Sequence, residues 1–154
     1  MLTLQTNNTI GYMKRFFLII SVFTLLVGCN NDNADASCVS RQLPNYGFEV
    51  TINLTFYNSL QFTGNTEYIS GYGVKGFYLY NTGSSIVAFE ASDPAHAPSE
   101  CSLMSRVGIE LSCECGDGNK YQMLTGQQTE GTGGHCLRAY RVDNLGNNMI
   151  RVSN

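Results

Sequence analysis

The sequence has no tryptophan, two histidines and only nine basic residues against 12 acidic ones among its 154 residues. It also lacks a hydrophobic run of about 20 residues, the length that a membrane-spanning helix needs. Its longest apolar run covers residues 16 to 27, where only Ser21 and Thr24 are polar. No later stretch shows a sustained helical period. These shortages argue against a helical bundle, a helical membrane protein and a nucleic-acid-binding protein.

The short apolar run is the centre of a predicted export signal. Two basic residues, Lys14 and Arg15, precede it, and the small residue Gly28 follows it. This order is typical of a secretory signal peptide. The run ends in Leu-Val-Gly-Cys, which resembles the lipobox of bacterial lipoproteins, where the chain is cut before the Cys and its sulfur receives a diacylglyceryl group. The resemblance implies an export signal over residues 1–28 and lipid attachment at Cys29.

The segment around the signal bears on its start and on the location of the protein. Residues 1–12 are polar, whereas an export signal normally begins with its basic residues, so we expect Met13 to be the true start. Without its signal the chain keeps seven basic and 12 acidic residues, a formal net charge of −5. Electrostatic attraction would therefore not hold the protein at an anionic membrane, so the lipid on Cys29 would have to anchor it. Because Asn30 is not acidic, we expect the outer membrane of a bacterial cell envelope rather than inner-membrane retention.

The rest of the chain divides into a tether and a β domain. Residues 29–40 form a flexible lipid-anchored tether, since residues 30–37 are only Asn, Asp, Ala and Ser. Residues 41–154 form the domain, whose first strand alternates apolar and polar side chains over residues 48–54. Further strands are predicted at 68–69, 74–80, 85–90, 107–113, 120–124, 136–142 and 149–152, with loops over 91–102 and 125–135. Many short strands favour an all-β, antiparallel sandwich or barrel.

Most residues that could bind a metal lie between positions 91 and 142. A predicted loop contains Asp93, His96 and Cys101, and the next loop begins Cys-Glu-Cys-Gly-Asp-Gly at Cys113. A Gly-rich loop and a Tyr-x-Val strand follow. This region resembles the Rieske iron–sulfur domain family, whose first loop carries Cys-x-His and often a later Cys. Its second loop reads Cys-Pro-Cys-His-Gly-Ser, and a Gly-rich loop and a Tyr-x-Val strand come after it.

The resemblance to the Rieske family implies a ligand set that this sequence only partly contains. A Rieske [2Fe–2S] cluster has two thiolates on one iron and two imidazoles on the other. Cys113 matches the second-loop thiolate, whereas Gly116 stands where the second-loop His would be. Asp93 stands near the first-loop Cys and His96 near the first-loop His, with one residue too many between them. Because at most one Cys and one His remain, no normal cluster is expected.

The cysteines also fit an exported protein, in which disulfides persist. Cys101 and Cys115 match the pair that ties the two loops together in the Rieske family, and the resemblance implies a disulfide between them. The lipid-attachment site is followed by five cysteines, an odd number, so at least one is free, bound to something, or paired between chains. Cys38 and Cys136 are then available to each other or to Cys113.

A zinc site is an alternative use of the same residues. Cys113 and Cys115 form a Cys-x-Cys pair, which is a weak metal signal, and His96, His135 and Cys136 could complete a site. In an oxidising compartment we favour a disulfide over metal binding. The two histidines lie in predicted loops and are more often plain surface residues.

The function predicted from the sequence is that of a binding or structural module. No Ser/His/Asp arrangement or paired-carboxylate motif is present, so we expect no enzyme activity. The leading interpretation is a lipid-anchored Rieske-like domain without an intact cluster site or a cofactor, which contacts a protein or glycan partner through its two loops. The alternative is a [2Fe–2S] electron-transfer protein with the substituted ligands Asp93, His96, Cys113 and His135.

Overall fold

The computed structural model describes residues 42 to 154. The predicted export signal, the lipid-attachment residue Cys29 and the tether lie outside the described residues, as does Cys38. Among residues 42–154 no helix has the length and the apolar character that crossing a membrane requires.

Ten antiparallel strands form two sheets in this part of the chain. The strands are β1 Glu49–Asn53, β2 Thr66–Ile69, β3 Phe77–Asn81, β4 Ile86–Glu90, β5 Ser105–Val107, β6 Glu110–Ser112, β7 Lys120–Gln122, β8 Gln128–Glu130, β9 Ala139–Gly146 and β10 Met149–Ser153. The larger sheet has the order β1-β10-β9-β4-β3-β2, and the smaller has the order β5-β6-β7-β8. Two short 3-10 helices, Leu54–Phe56 and Asn58–Gln61, follow β1. The prediction of an all-β antiparallel fold is confirmed.

The alternation of apolar residues sets the register of the larger sheet. In β1 and β10, Ile52 lies opposite Ile150, and both side chains are buried on the same face. The hairpin from β9 to β10 turns at Asn147 and Asn148, which both have positive φ, of 51° and 58°. Asn is one of the few non-glycine residues that adopts this conformation at modest cost, which explains the tight turn.

Strand β3 divides the apolar side chains between two cores. Phe77 and Leu79 belong to the first core, whereas Tyr78 and Tyr80, on the opposite face, belong to the second. The first core also contains Ile52, Leu60, Ile69, Ala88, Tyr140, Ile150 and Val152. The second contains Phe89, Ala91, Met104, Leu111, Tyr121, Met123 and Leu137. The second core draws residues from both sheets, so it packs the smaller sheet against the larger one.

Two predictions of secondary structure were wrong. The single strand predicted over 107–113 is interrupted, because Gly108, with a φ of +66°, turns the chain between β5 and β6. The loop predicted over 125–135 contains β8, which pairs with β7. Its polar sequence Gln-Thr-Glu is half-buried or exposed, so it carries no apolar alternation that could have revealed it.

Two loops end at strands of the smaller sheet, and we call them the tip loops. The first, residues 91–104, connects β4 of the larger sheet to β5, and the second, residues 113–119, connects β6 to β7. Ser105 pairs with Ser112, and Ser112 pairs with Lys120. The end of the first tip loop and both ends of the second therefore lie side by side at one end of this sheet. Antiparallel pairing alone brings together two segments that are distant in sequence.

Candidate functional site

The first tip loop is ordered by its own hydrogen bonds. Its two ends form a bridge between Ser92 and Leu103, and the Asp93 N–H donates to the Ser102 carbonyl at 2.7 Å. The Ser102 hydroxyl lies 3.1 Å from the Ser92 hydroxyl and accepts the Ser99 N–H at 3.0 Å. Because these contacts fix both ends and the outer bend, the loop holds a defined conformation without regular secondary structure.

A disulfide joins the two tip loops. It links Cys101 to Cys115, whose Cα atoms are 4.8 Å apart, and this is the pairing that the Rieske resemblance implies. A closed loop of this length stabilises the fold by about 3 kcal/mol in the chain-entropy account. Cys136 is also disulfide-bonded, and among residues 42–154 the free cysteine is the buried Cys113.

Asp93 is fully buried between the tip loops and the smaller sheet. Its Oδ1 accepts the Tyr121 hydroxyl at 2.7 Å and the Ala95 N–H at 2.8 Å. Its Oδ2 accepts the side-chain amide of Asn119 at 3.2 Å. Burial and the hydrogen bond to Asp93 raise the pKa of Tyr121 above its usual range, so that hydroxyl stays a donor. These contacts satisfy a buried carboxylate that would otherwise be costly.

Cys113 lies beside Asp93, and its surroundings disfavour the thiolate. Burial, reinforced by a hydrogen bond to Asp93, raises the pKa of Cys113 to about 12. Its Sγ accepts the Cys115 N–H at 3.4 Å, and its own N–H donates to the Asn119 carbonyl at 2.9 Å. The disulfide-bonded second tip loop therefore holds this sulfur in place.

His96 and Asp117 close the arrangement from the solvent side. His96 Nε2 lies 2.5 Å from Asp117 Oδ2 and 3.7 Å from Asp93 Oδ2. The Asn119 amide donates to the same Asp117 oxygen at 2.5 Å. Although desolvation opposes it, hydrogen bonding to His96 and to the Asn119 backbone lowers the pKa of Asp117. Two carboxylates thus face one imidazole ring.

Four side chains of the tip loops form one donor group. Asp93, His96, Cys113 and Asp117 each offer a ligand atom, and all four atoms lie within 4.8 Å of one another. The sequence identified the first three as remnants of the cluster site, and the structure brings them together. It missed Asp117, which lies one residue beyond Gly116, the position matched to the missing His. Nothing in the spacing of the second loop pointed to Asp117, because Cys113, Cys115 and Gly116 keep the spacing of the Rieske pattern.

His135 lies apart from this donor group. It precedes β9 and lines a separate cavity with Gln127, Gln128, Gly134 and Cys136. Its backbone N–H donates to Gln128 Oε1 at 2.9 Å. The proposed use of His135 as a substituted cluster ligand, and its place in the alternative zinc site, are not supported by this position.

The residues present do not fit a Rieske [2Fe–2S] cluster. That cluster needs two thiolates and two imidazoles, whereas this group contains one thiol, one imidazole and two carboxylates. Cys115 cannot supply the second thiolate while it is bonded to Cys101. Gly116 has no side chain, and a Cβ built there would meet no heavy atom within 4 Å. The second-loop position is therefore open space rather than a site filled by another ligand.

A second buried carboxylate, Glu90, lies at the end of β4, just before the first tip loop. Its Oε1 accepts the N–H groups of Lys75 and Ser92, both at 2.9 Å. Its Oε2 accepts the Val74 N–H at 2.7 Å and the Tyr140 hydroxyl at 2.5 Å. Burial and this contact raise the pKa of Tyr140. From the sequence, Glu90 is predicted only as the end of a strand, because nothing local distinguishes it from an exposed strand residue.

Comparison with known proteins found similar solved structures but no matching family. No protein-family model matches the sequence, and no curated protein matches it significantly. One similar structure comes from the complex of reduced oxygenase and oxidized ferredoxin in carbazole 1,9a-dioxygenase, at 18% identity, with a TM-score of 0.43 over 59% of this chain and 82% of that one. Another is the ferredoxin of carbazole 1,9a-dioxygenase from Nocardioides aromaticivorans IC177, at 19% identity, with a TM-score of 0.45 over 70% and 97%. Independently of these two structures, the strands described above make residues 42–154 an all-β domain.

Proposed function

We propose that this chain is a lipid-anchored module of the bacterial cell envelope that binds a partner protein through its two tip loops. Cys29 would carry the lipid, and the Rieske-like domain would act without a [2Fe–2S] cluster. The protein would be neither an enzyme nor an electron carrier. The observation that carries this proposal is the ordered, disulfide-joined pair of tip loops.

The tip loops have the properties of a preformed contact surface. Long loops without regular structure are uncommon in compact domains, and ordered ones are usually functional. Here the disulfide and the buried Asp93 hold both loops in place from beneath. A surface fixed in this way loses little conformational entropy when it binds.

The charge at the tip favours a basic partner. Glu100, Glu114 and Asp117 are exposed, and the chain that follows the predicted signal carries a net charge of −5. The first tip loop also exposes Ala97 and Pro98, which leave its outer bend small and uncharged. A protein surface with basic groups around a shallow apolar centre would complement this tip.

The lipid anchor and the location are tested by labelling and fractionation. Cells that express the full chain should incorporate labelled fatty acid into it, and the protein should sediment with outer membranes. The Cys29→Ser variant should incorporate none. Incorporation by Cys29→Ser, or recovery of the wild-type chain in inner membranes, would contradict the proposed anchor or location.

The tip contact is tested by site-specific crosslinking in the cell. A photoreactive amino acid in place of Ala97 should give a crosslinked product of defined mass, which 0.5 M salt during irradiation weakens. The same amino acid at Phe56, a residue outside the tip loops that is 80% exposed, serves as the matched control and should give no such product. Equal crosslinking at both positions, or none at Ala97, would refute the tip as the binding surface.

Electron transfer is the second candidate function, because four potential ligands meet where the Rieske resemblance places a cluster. Carboxylates are weak ligands for iron–sulfur clusters, which counts against it. The full chain, purified in detergent without air, should be colourless and lack stoichiometric iron and acid-labile sulfide. Two irons and two sulfides per chain would establish the electron carrier instead.

A further inference from the structure

The donor group of Asp93, His96, Cys113 and Asp117 combines two carboxylates, a thiol and an imidazole. Three of its members carry or can acquire negative charge, and they surround one imidazole. Asp93 and Cys113 are buried, while the side chains of His96 and Asp117 are 32% and 30% exposed. The group thus has a closed inner side and an open outer side, as an ion entering from solvent requires.

The two carboxylates of the group lie close together and share the imidazole of His96 as a neighbour. His96 Nε2 faces both carboxylates, at 2.5 Å from Asp117 and 3.7 Å from Asp93, but one ring nitrogen can donate a single proton. The NH₂ group of Asn119, which has two N–H donors, donates to one oxygen of each carboxylate, and so it holds the two carboxylates near each other. Like charges this close repel in a half-buried setting. A divalent cation between them would replace this repulsion with coordination.

The chemistry of the donors selects the class of ion. Imidazole nitrogen, thiolate sulfur and carboxylate oxygen are the three donor types that bind zinc in proteins, at about 2.0–2.3 Å. A thiolate and an imidazole disfavour calcium and magnesium, which prefer oxygen ligands only. Donor atoms within 4.8 Å of one another suit one ion rather than a two-metal cluster.

The neighbouring residues already occupy the supporting positions. Tyr121 and Asn119 donate to Asp93, and the Cys115 N–H donates to Cys113. Such contacts orient ligands and are a regular part of protein metal sites. The disulfide between the tip loops holds the two pairs of donors at a fixed separation.

We infer that Asp93, His96, Cys113 and Asp117 bind a single divalent transition-metal ion of the zinc class. Two ligands come from each tip loop, so the ion would join the loops beside the disulfide. This site goes beyond the proposed partner-binding function, and it depends neither on the lipid nor on the partner.

The test is metal titration of the full chain, purified in detergent, stripped with a chelator and kept free of reductant. Zinc should bind with a stoichiometry of one ion per chain, measured by competition with a chromophoric chelator. Cobalt should bind in its place and give a thiolate-to-cobalt charge-transfer absorption, which Cys113→Ser should abolish. This absorption reports the sulfur ligand directly.

Variants with matched chemistry locate the site. Asp117→Asn and His96→Gln should each weaken zinc binding by roughly tenfold to a hundredfold or more. Glu100→Gln makes the same kind of change in an exposed carboxyl of the first tip loop and should leave the affinity unchanged. Circular dichroism and disulfide mapping would check folding, and having two half-exposed ligand variants keeps the test decisive if one of them misfolds.

Three results would overturn the inference. These are no zinc binding at micromolar concentrations, equal affinities for Asp117→Asn and Glu100→Gln, and cobalt absorption that survives in Cys113→Ser. Anchoring and crosslinking are scored separately, so the proposed function can fail while the metal site stands, and the reverse.

Discussion

Glu90 and Asp93 are two buried carboxylates three positions apart, and they differ in their hydrogen-bond partners. Glu90 accepts hydrogen bonds from three backbone N–H groups and one tyrosine. Asp93 accepts one backbone N–H, one tyrosine and one side-chain amide. Beyond these partners, Asp93 faces Cys113 and His96, which belong to the donor group.

Burial alone therefore does not mark a functional carboxylate. The partners of Glu90 are mostly backbone, so they cannot reorient, and the residue fastens the turn at Val74 and Lys75 to the start of the first tip loop. The partners of Asp93 are mostly side chains, and its second oxygen faces His96 of the donor group. Glu90 therefore stabilises the fold, whereas Asp93 both stabilises the fold and belongs to the donor group of the tip loops.

The largest expected effect follows from Glu90→Gln. Whichever way the new amide turns, its NH₂ group faces a backbone N–H donor, and a charge-assisted network is lost. We expect the free energy of unfolding to fall by about 3 kcal/mol. Urea denaturation of the full chain in detergent, followed by circular dichroism, measures this.

The matched control for Glu90→Gln is Glu49→Gln, since Glu49 is an exposed residue of β1 whose contact with Arg151 is 4.0 Å long. Its stability should stay within about 0.5 kcal/mol of the wild type. If both variants lost the same free energy of unfolding, the assigned structural role of the buried Glu90 would be wrong.

Asp93→Asn should cost less. The remaining oxygen can still accept from Tyr121 and Ala95, and the new NH₂ group faces the Asn119 amide, with His96 Nε2 farther away. Because only the hydrogen bond from the Asn119 amide is replaced by a conflict, and the lost charge relieves repulsion with Asp117, we expect a loss of about 1–2 kcal/mol in the same urea experiment. A loss larger than that of Glu90→Gln would reverse the assignment of the two roles.

The features that could be predicted from the sequence are those that depend on residues close together in the chain. Alternation revealed β1, and the motif order revealed Cys101 and Cys115, because both signals lie in consecutive residues of the sequence. Glu90 and Asp117 were missed because their partners come from other strands and loops. Gly-Asp-Gly around Asp117 is also a turn signal, and that interpretation concealed its carboxylate as a ligand.

The smallest effect is on the reactivity of Cys113 and needs no change in fold. Burial is the main cause of its raised pKa of about 12, and Asp93 adds to it. Alkylation requires the thiolate. In Asp93→Asn the pKa should fall toward its ordinary value, so iodoacetamide should modify Cys113 several-fold faster at pH 8 in the presence of a chelator.

Glu90→Gln distinguishes this electrostatic effect from simple opening of the fold. That variant is the less stable of the two, so alkylation through transient unfolding would be fastest there. We expect the opposite order, with Asp93→Asn reacting fastest when modification at Cys113 is measured by peptide mass. Faster reaction in Glu90→Gln would show that local opening, and not the neighbouring carboxylate, controls this thiol.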